Sequence, residues 1–321
     1  MQFGVISTAN IADKAVVPAI RDSDHEVRAV ASRSPDAVAD FADRHDIPET
    51  YDSYEALLDA DVDAVYNPLP NALHAEWTKR AADAGLHVLC EKPLASDVEE
   101  AVEVVGYCAD AGVTLMEAFM YQYHPRTVRA LDVAREELGD LRHVHAAFNF
   151  PLREGPDVRL DPDLAGGALM DVGCYAVSAA RQFLGEPALA DASTHDHRDC
   201  GVDTEIAGAL EFDGGATATV EASFETRELQ TYRVEGTEGW LEARDAYNPD
   251  GGETVLRWGT GEKTVEETFD DVDQYRLEVE HFAASVEAGR DPLTDGEEAV
   301  ANMRAIDALY EAAATGETIP L

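Results

Sequence analysis

Leu86-His87-Val88-Leu89-Cys90-Glu91-Lys92-Pro93-Leu94-Ala95 is the stretch on which the fold turns. Val88, Leu89 and their neighbours make a short apolar run, the mark of a buried parallel strand. The run stops at an acid, a base and a proline. In an open α/β sheet, ligands bind beyond the carboxyl ends of the strands, so a lysine at that point faces whatever is bound. Lys14, Lys79, Lys92 and Lys263 are the lysines of the chain, and the remaining bases are arginines. Lys92 is thus a candidate for ammonium chemistry, because lysine shifts its pKa readily and carries three movable donors. The alternative is a surface lysine paired with Glu91.

Strands and helices alternate on both sides of this strand. Phe3 to Ile6 reads as a first strand, followed by the turn Ser7-Thr8-Ala9-Asn10-Ile11-Ala12 into a helix. Val27 to Ala31 reads as a second, followed by Ser34-Pro35, an N-cap with proline at the first helical position. Its helix runs to about His45. A third strand, Ala64 to Asn67, leads through Pro68-Leu69-Pro70-Asn71 into a helix to about Ala84. After the Lys92 strand, Ser96-Asp97-Val98-Glu99 reads as a capping box. Val98, Ala101, Val102, Val105 and Ala109 would give that helix one apolar face. Thr114 to Ala118 closes the half as another strand. Alternation at these lengths means right-handed βαβ units and a parallel sheet.

The pattern changes after about Tyr123. One helix follows Pro125. Ala216, Ala218, Val220, Ala222 and Phe224 then alternate with Thr217, Thr219, Glu221, Ser223 and Glu225, which is strand periodicity. Asp213-Gly214-Gly215 and Thr237-Glu238-Gly239 are hairpin signals. Two helices, about Val272 to Ala288 and Gly296 to Ala314, end the chain. The expected fold is an α/β Rossmann parallel-sheet domain, residues 1–122, followed by an α+β domain with a largely antiparallel open sheet, residues 123–321.

The chain has 321 residues, room for two domains with real cores. It carries 65 acids against 24 bases, a formal net charge of -41, and a pI near 4.3. The acids are spread through every helix, not gathered in a tail, which argues against a disordered acidic arm. Scarce lysine and dispersed carboxylates suggest adaptation to concentrated salt. In molar salt the Debye length falls to about 3 Å, and distant like charges stop repelling. A halophilic, cytoplasmic protein is expected, with no nucleic-acid partner, given so anionic a surface. Strand-like residues from Gln2 onward do not read as a signal peptide, and no apolar run approaches the ~18 residues of a membrane helix. Cys90, Cys108, Cys174 and Cys200 make no Cys-x-x-Cys pair and read as free thiols. Neither they nor the ten histidines suggest a metal site.

A dinucleotide fingerprint needs small residues where the first strand turns into its helix, so that backbone N–H groups approach a pyrophosphate. Ser7, Ala9 and Ala12 fill the three glycine-type slots. Small size is kept, but at two slots glycine's freedom to adopt positive φ is lost. The end of the second strand selects the cofactor. An acid there would bind the ribose hydroxyls of NAD, and a base accommodates the 2′-phosphate of NADP. Ser32-Arg33-Ser34 offers a guanidinium between two hydroxyls, with no acid before Asp36. That suits NADP; otherwise Arg33 is a surface arginine beside a helix start.

The chain at this point resembles a known family. Ser-Thr-Ala-x-Ile-Ala after the first strand, Pro68-Leu69-Pro70-Asn71-Ala72-Leu73-His74, Glu91-Lys92-Pro93 and Gly166-Gly167-Ala168-Leu169-Met170-Asp171-Val172-Gly173-Cys174-Tyr175 occur in one order. Together they are similar to the glucose–fructose oxidoreductase / inositol dehydrogenase / rhizopine catabolism (Gfo/Idh/MocA) family, over essentially the whole chain. Met116 to Tyr121 and Asp157 to Pro162 resemble its NADP-dependent D-xylose and dihydrodiol dehydrogenases. The resemblance implies a Rossmann domain, a second domain whose open sheet often mediates dimer or tetramer contacts, and a cis peptide between Lys92 and Pro93. It departs from the inositol dehydrogenases at Tyr175, where those carry histidine.

Oxidising an alcohol or hemiacetal needs a base for the hydroxyl proton while hydride leaves for a nicotinamide. A helix beginning near Met170 would set Asp171, Cys174, Tyr175 and Ser178 on one face. Gly166 and Gly167 would let the backbone approach a ligand. Tyrosine's ordinary pKa of about 10 is too high for a base near neutrality, and an ammonium within about 4–6 Å lowers it. The expected catalytic set is Tyr175 as general acid/base, Lys92 as its electrostatic tuner and a hydroxyl donor reaching across the domain cleft, and Asp171 orienting Lys92 or the sugar. Arg159 is a candidate for sugar hydroxyls. The expected cofactor contacts are Ser7, Thr8, Ala9, Asn10, Ile11, Ser32, Arg33, Pro68, Leu69, Asn71, His74, Glu91 and Lys92. His74 either touches nicotinamide or substrate, or is a capping or core residue; Tyr123 and His124 are candidates for the cleft wall. The expected activity is NADP-dependent oxidation of an aldose, such as D-xylose, to the lactone in a homo-oligomer. The alternatives are another polyol, a ketose or a trans-dihydrodiol as substrate, the reductive direction, or a non-catalytic sensor of NADP or sugar on the same scaffold.

Overall fold

The computed structural model describes residues 1–249 and 251–321. The chain divides into two compact units: Met1–Met120 with Asp273–Val300, and Tyr121–Val272 with Ala301–Leu321. In the first unit, β1 (Gln2–Ile6) turns through a π-helical stretch, Ala12–Val16, into α1 (Val17–Arg21). Then come β2 (Glu26–Ala31), α2 (Pro35–His45), β3 (Glu49–Tyr51), α3 (Tyr54–Leu58) and β4 (Ala64–Asn67). A short 3-10 turn leads to α4 (His74–Asp83), β5 (His87–Glu91), α5 (Val98–Ala111) and β6 (Leu115–Ala118). The six strands pair in parallel in the order β3-β2-β1-β4-β5-β6. The order reverses between β1 and β4, and that switch point is where open α/β sheets bind dinucleotides. Val5, Ile6, Val30, Val65, Val88 and Leu89 are fully buried in these strands.

The second unit opens with α6 (Pro125–Glu137) and β7 (Leu141–Asn149). A π-helical turn, Leu169–Gly173, runs into α7 (Cys174–Leu184). The strands β8 (Pro187–His195), β9 (Glu205–Phe212), β10 (Thr217–Ser223), β11 (Leu229–Gly236), β12 (Gly239–Arg244), β13 (Thr254–Thr260) and β14 (Lys263–Phe269) follow. Then come α8 (Gln274–Ala288), α9 (Gly296–Thr315) and the short β15 (Ile319–Pro320). The second sheet has nine strands in the order β14-β13-β12-β11-β7-β10-β9-β8-β15. Its pairs are antiparallel except β7 with β10, which run parallel. On β10, Ala218, Val220 and Ala222 are buried as the alternation requires.

Four details differ from the sequence reading. β3 and α3 form an edge strand and a short helix where no element was expected; three strand residues leave too little periodicity to read. The cap of α5 is Asp97, whose carboxylate accepts from Glu100 N (2.8 Å), one residue beyond the Ser96 expected. The buried face of α5 is Ala101, Val104 and Cys108, whereas Val102 is 52% exposed. Two stripes of small apolar residues share this helix, and sequence alone cannot say which meets the sheet. Lastly, α8 falls in the first unit although it follows residue 122: Phe282 packs its ring against Phe3 of β1, centroids 6.0 Å apart.

Candidate functional site

The coenzyme side of the first unit is built at the ends of β1, β2, β4 and β5. Ser7 ends β1 with its N–H on Ala31 O (2.9 Å) and a φ of +107°. A serine there holds the backbone conformation that the first fingerprint glycine adopts freely, a strain of about 1–3 kcal/mol for a residue with a side chain. The helix begins two residues on, where Asp13 N donates to Ala9 O (3.0 Å). Thr8, Ala9 and Ile11 are partly buried and Asn10 is exposed. Beyond β2, Ser32 Oγ accepts from Ser34 N (3.3 Å), and Ser34 Oγ caps α2 at Ala37 N (3.4 Å). Arg33 between them is exposed and, among the described residues, engages no acid. This donor set fits a dinucleotide with a 2′-phosphate: glycine-like backbone at the first turn and an uncommitted guanidinium at the second.

His74 sits wholly inside the unit, the core placement that the sequence left open beside a contact to nicotinamide or substrate. It has no exposed surface, and its Nδ1 and Nε2 lie 2.8 Å from Pro93 O and 2.6 Å from Leu69 O. Burial lowers its pKa to about 4 against the pull of the two carbonyls, so near neutrality the ring is uncharged and its single N–H donates to one of the two. It braces the Pro68-Leu69 turn after β4 against the turn after β5. Asn67, fully buried at the end of β4, donates to His74 O (3.2 Å) and Thr78 Oγ1 (3.3 Å). Lys92 precedes Pro93 through a cis peptide bond, as the resemblance implied, and is partly buried, as are Asn71 and Glu91. Glu91 Oε1 accepts from Tyr66 Oη (2.6 Å).

Sequence reasoning missed Glu117 here. It is buried, accepts from Leu94 N (2.7 Å) through Oε1, and so fixes the chain just after Lys92-Pro93. Its backbone is bonded to Thr294 in turn, N to O at 2.9 Å and Oγ1 to O at 2.5 Å. One acid among 65 carries no mark of such a task.

In the second unit the structure brings Arg159 against Asp171 and sets Tyr175 in an aromatic cluster. Arg159 Nε donates to Asp171 Oδ2 (2.7 Å), and its Nη1 lies 3.3 Å from Asp157 Oδ1. Asp171 foremost holds the guanidinium above its usual pKa. Tyr175 is 4% exposed, with its ring 5.4–5.8 Å from those of Phe148, Tyr247 and Tyr121. Tyr121 Oη and Gln122 Nε2 both meet Ser178 Oγ, at 2.9 and 3.1 Å. His124 is the N-cap of α6, accepting from Arg126 N (3.0 Å) inside the fold. The helix carrying Asp171 begins with a π turn, so Asp171 and Tyr175 are not spaced as in a regular α-helix. Gly166 and Gly167 are also explained differently from the close ligand approach expected of them. A Cβ on Gly166 would strike the carbonyl of Arg159, and one on Gly167 would strike Asp203 and Tyr310. The crowding that demands glycine is the protein's own.

The geometry agrees with what the chain is related to. Residues 1–119 match the oxidoreductase family with an NAD-binding Rossmann fold, and residues 125–242 match the GFO/IDH/MocA C-terminal domain. The chain belongs to the GFO/IDH/MocA oxidoreductase family. It is 55% identical to D-xylose 1-dehydrogenase (NADP(+)) 2 of Haloferax volcanii, over 100% of both chains. A crystal structure of a 3-ketoreductase from Actinomadura kijaniata with NADP and TDP-benzene superposes with a TM-score of 0.92 at 33% identity, covering 97% of each chain. Aldose-aldose oxidoreductase from Caulobacter crescentus, complexed with glycerol, gives a TM-score of 0.93 at 29% identity over 100% of this chain and 99% of that one.

Proposed function

We propose that this chain is an NADP-dependent sugar dehydrogenase that oxidises an aldose, D-xylose foremost, at the anomeric carbon to the lactone. The observation that carries the reading is the end-to-end 55% identity to a D-xylose 1-dehydrogenase named for NADP(+). When bound, NADP supplies a nicotinamide ring that accepts hydride. The chain's own residues do the rest. Arg33 beside the Ser32 hydroxyl takes the 2′-phosphate, and the backbone from Ser7 through Thr8, Ala9, Asn10 and Ile11 takes the pyrophosphate. Pro68, Leu69, Asn71 and Glu91 shape the coenzyme's resting place.

Tyr175 accepts the hydroxyl proton as general base and returns it as acid in the reverse direction. Lys92 supplies the positive charge that a phenol needs to act near neutrality, and donates to the substrate hydroxyl. Asp171, charge-paired with Arg159, orients the sugar, and Arg159 adds donors for its hydroxyls. The protein is cytoplasmic, works in concentrated salt, and self-associates through the strand face that carries His143 and His145, each bonded to a threonine of β10 at 2.9 Å.

The test is a panel of aldoses with NADP and NAD in molar salt, read by the near-ultraviolet absorbance of the reduced coenzyme. D-xylose with NADP is expected to give the highest kcat/KM, and no turnover of any sugar would remove the assignment. The likeness to a 3-ketoreductase supports a second reading, reduction of a keto sugar, which NADPH oxidation by such a sugar would reveal.

A further inference from the structure

The π turn that carries Asp171 starts without a cap of its own: its N-cap, Ala168, contributes no side-chain hydrogen bond. The first N–H groups of a helix have no partner within it, and burying them unpaired is costly. Here a residue remote in sequence satisfies two in succession. Ala168 N donates to the carbonyl of Asp203 (2.8 Å) and Leu169 N to its Oδ2 (2.8 Å). The phenol of Tyr310 in turn donates to the other oxygen of that carboxylate, Asp203 Oδ1 (2.7 Å). Asp203 lies just before β9 and is 8% exposed; Tyr310 belongs to α9. The helix's own ladder begins at Asp171, whose N–H donates to Gly167 O (2.9 Å). Gly167 has a φ of +127°, and a Cβ there would run into both partners, Asp203 Oδ1 and the Tyr310 oxygen. At the far end of the turn, Asn302 Nδ2 donates to Cys174 O (3.3 Å), so α9 holds one end directly and the other through Asp203.

We propose that Asp203 and Tyr310 form a positioning pair that sets the rotation of this turn, and through it the places of the Asp171 carboxylate and the Tyr175 phenol. The inference rests on the reading of Asp171 and Tyr175 as reaction residues. Neither member of the pair touches substrate. An error of about 1 Å in a reacting group costs up to roughly a hundredfold in rate, so loosening the turn slows turnover while the protein stays folded.

The experiment compares Tyr310→Phe, Asp203→Asn and the double variant with wild type, at a temperature well below every Tm. The readouts are kcat and KM for D-xylose, and NADPH affinity by fluorescence. Each single variant is expected to lower kcat/KM for the sugar by about 10- to 100-fold, with NADPH affinity unchanged. The double variant is expected to be little worse than either single one, because the pair acts as a unit. Tyr310→Phe removes one hydroxyl and carries the test if Asp203→Asn does not fold. A lowered Tm with unchanged kcat and KM would make the pair merely structural and overturn the proposal, as would equal losses of sugar turnover and NADPH affinity. Tyr175→Phe and Asp171→Asn are run beside them. If those two retain full turnover the underlying reading fails, whereas if they lose it and the pair's variants do not, only the positioning role fails.

Discussion

Arg159 and Asp171 meet at 2.7 Å, Nε to Oδ2, with the guanidinium 41% exposed and the carboxylate 17% exposed. The aspartate that begins the helix of Tyr175 is thus held by a cation from the preceding loop. Arg159→Gln keeps a neutral N–H donor at the Nε position but removes the outer guanidinium and its charge. A charged hydrogen bond contributes about 1.5–3 kcal/mol, and solvent screening of the exposed arginine argues for the lower end. We expect kcat/KM for the sugar to fall about tenfold, chiefly through KM, with coenzyme affinity unchanged; initial-rate kinetics with each substrate varied would measure it.

Arg33 stands exposed at the end of β2. Replacing it by aspartate puts an acid where a ribose hydroxyl would accept it and a phosphate would not. The ratio of kcat/KM for NADP over NAD should fall by about a hundredfold or more, since two charge-assisted bonds are lost and a repulsion is gained. An unchanged ratio would mean that Arg33 does not meet the 2′-phosphate.

Ser7→Gly relieves the +107° backbone at the end of β1. The relief of about 1–3 kcal/mol is partly offset by glycine's greater freedom in the unfolded chain, about 0.5–1 kcal/mol. A net gain of about 1 kcal/mol, seen as a Tm higher by roughly 2–4 °C, is expected in scanning calorimetry. Ser7→Val should do the reverse, because a β-branched side chain tolerates positive φ least.

Glu278 of α8 is fully buried, and among the described residues neither carboxyl oxygen has a hydrogen-bond partner. Burial, then the charges of Glu91 and Asp273, raises its pKa well above the ordinary 4.5. A folded acid with a raised pKa binds more protons than the unfolded chain. Its contribution is therefore fully present below about pH 4.5 and is lost as pH rises toward the folded value. His74 and His124, both lowered to about 4, act oppositely: their contribution is present above 6.5 and is lost as pH falls toward 4. Glu278→Gln should raise Tm near neutrality and remove the alkaline-side decline, leaving the acid-side loss intact in a Tm-versus-pH series.

The net charge of -41 predicts that Tm climbs as potassium chloride is raised toward molar concentration, because screening removes repulsion between dispersed acids. A melting temperature that falls steadily with added salt would contradict the reading of this surface.

The fold was legible because strand–helix alternation is a repeating signal. Val88 and Leu89 mark a buried strand, and Ser34-Pro35 marks a helix start, with only short-range information. A candidate for the site stood out where its chemistry is rare in the chain, as with Lys92 among four lysines. Long-range partners carried no such mark. His74 follows a turn in sequence, but only the folded chain shows its ring between the carbonyls of Leu69 and Pro93. Glu117 and Asp203 are two acids in an acid-rich chain, distinguished solely by the N–H groups folding brings to them. At Ser7 the small size was readable, but the left-handed backbone was not, since a serine ordinarily argues against it.

The imidazole wedged between Leu69 and Pro93 welds two turns into one lever. Its two ring nitrogens lie within hydrogen-bond reach of a carbonyl in each bend. The bend after β4 and the bend after β5 therefore share one buried ring as their common footing, and a bulky substitution at either would be felt at both.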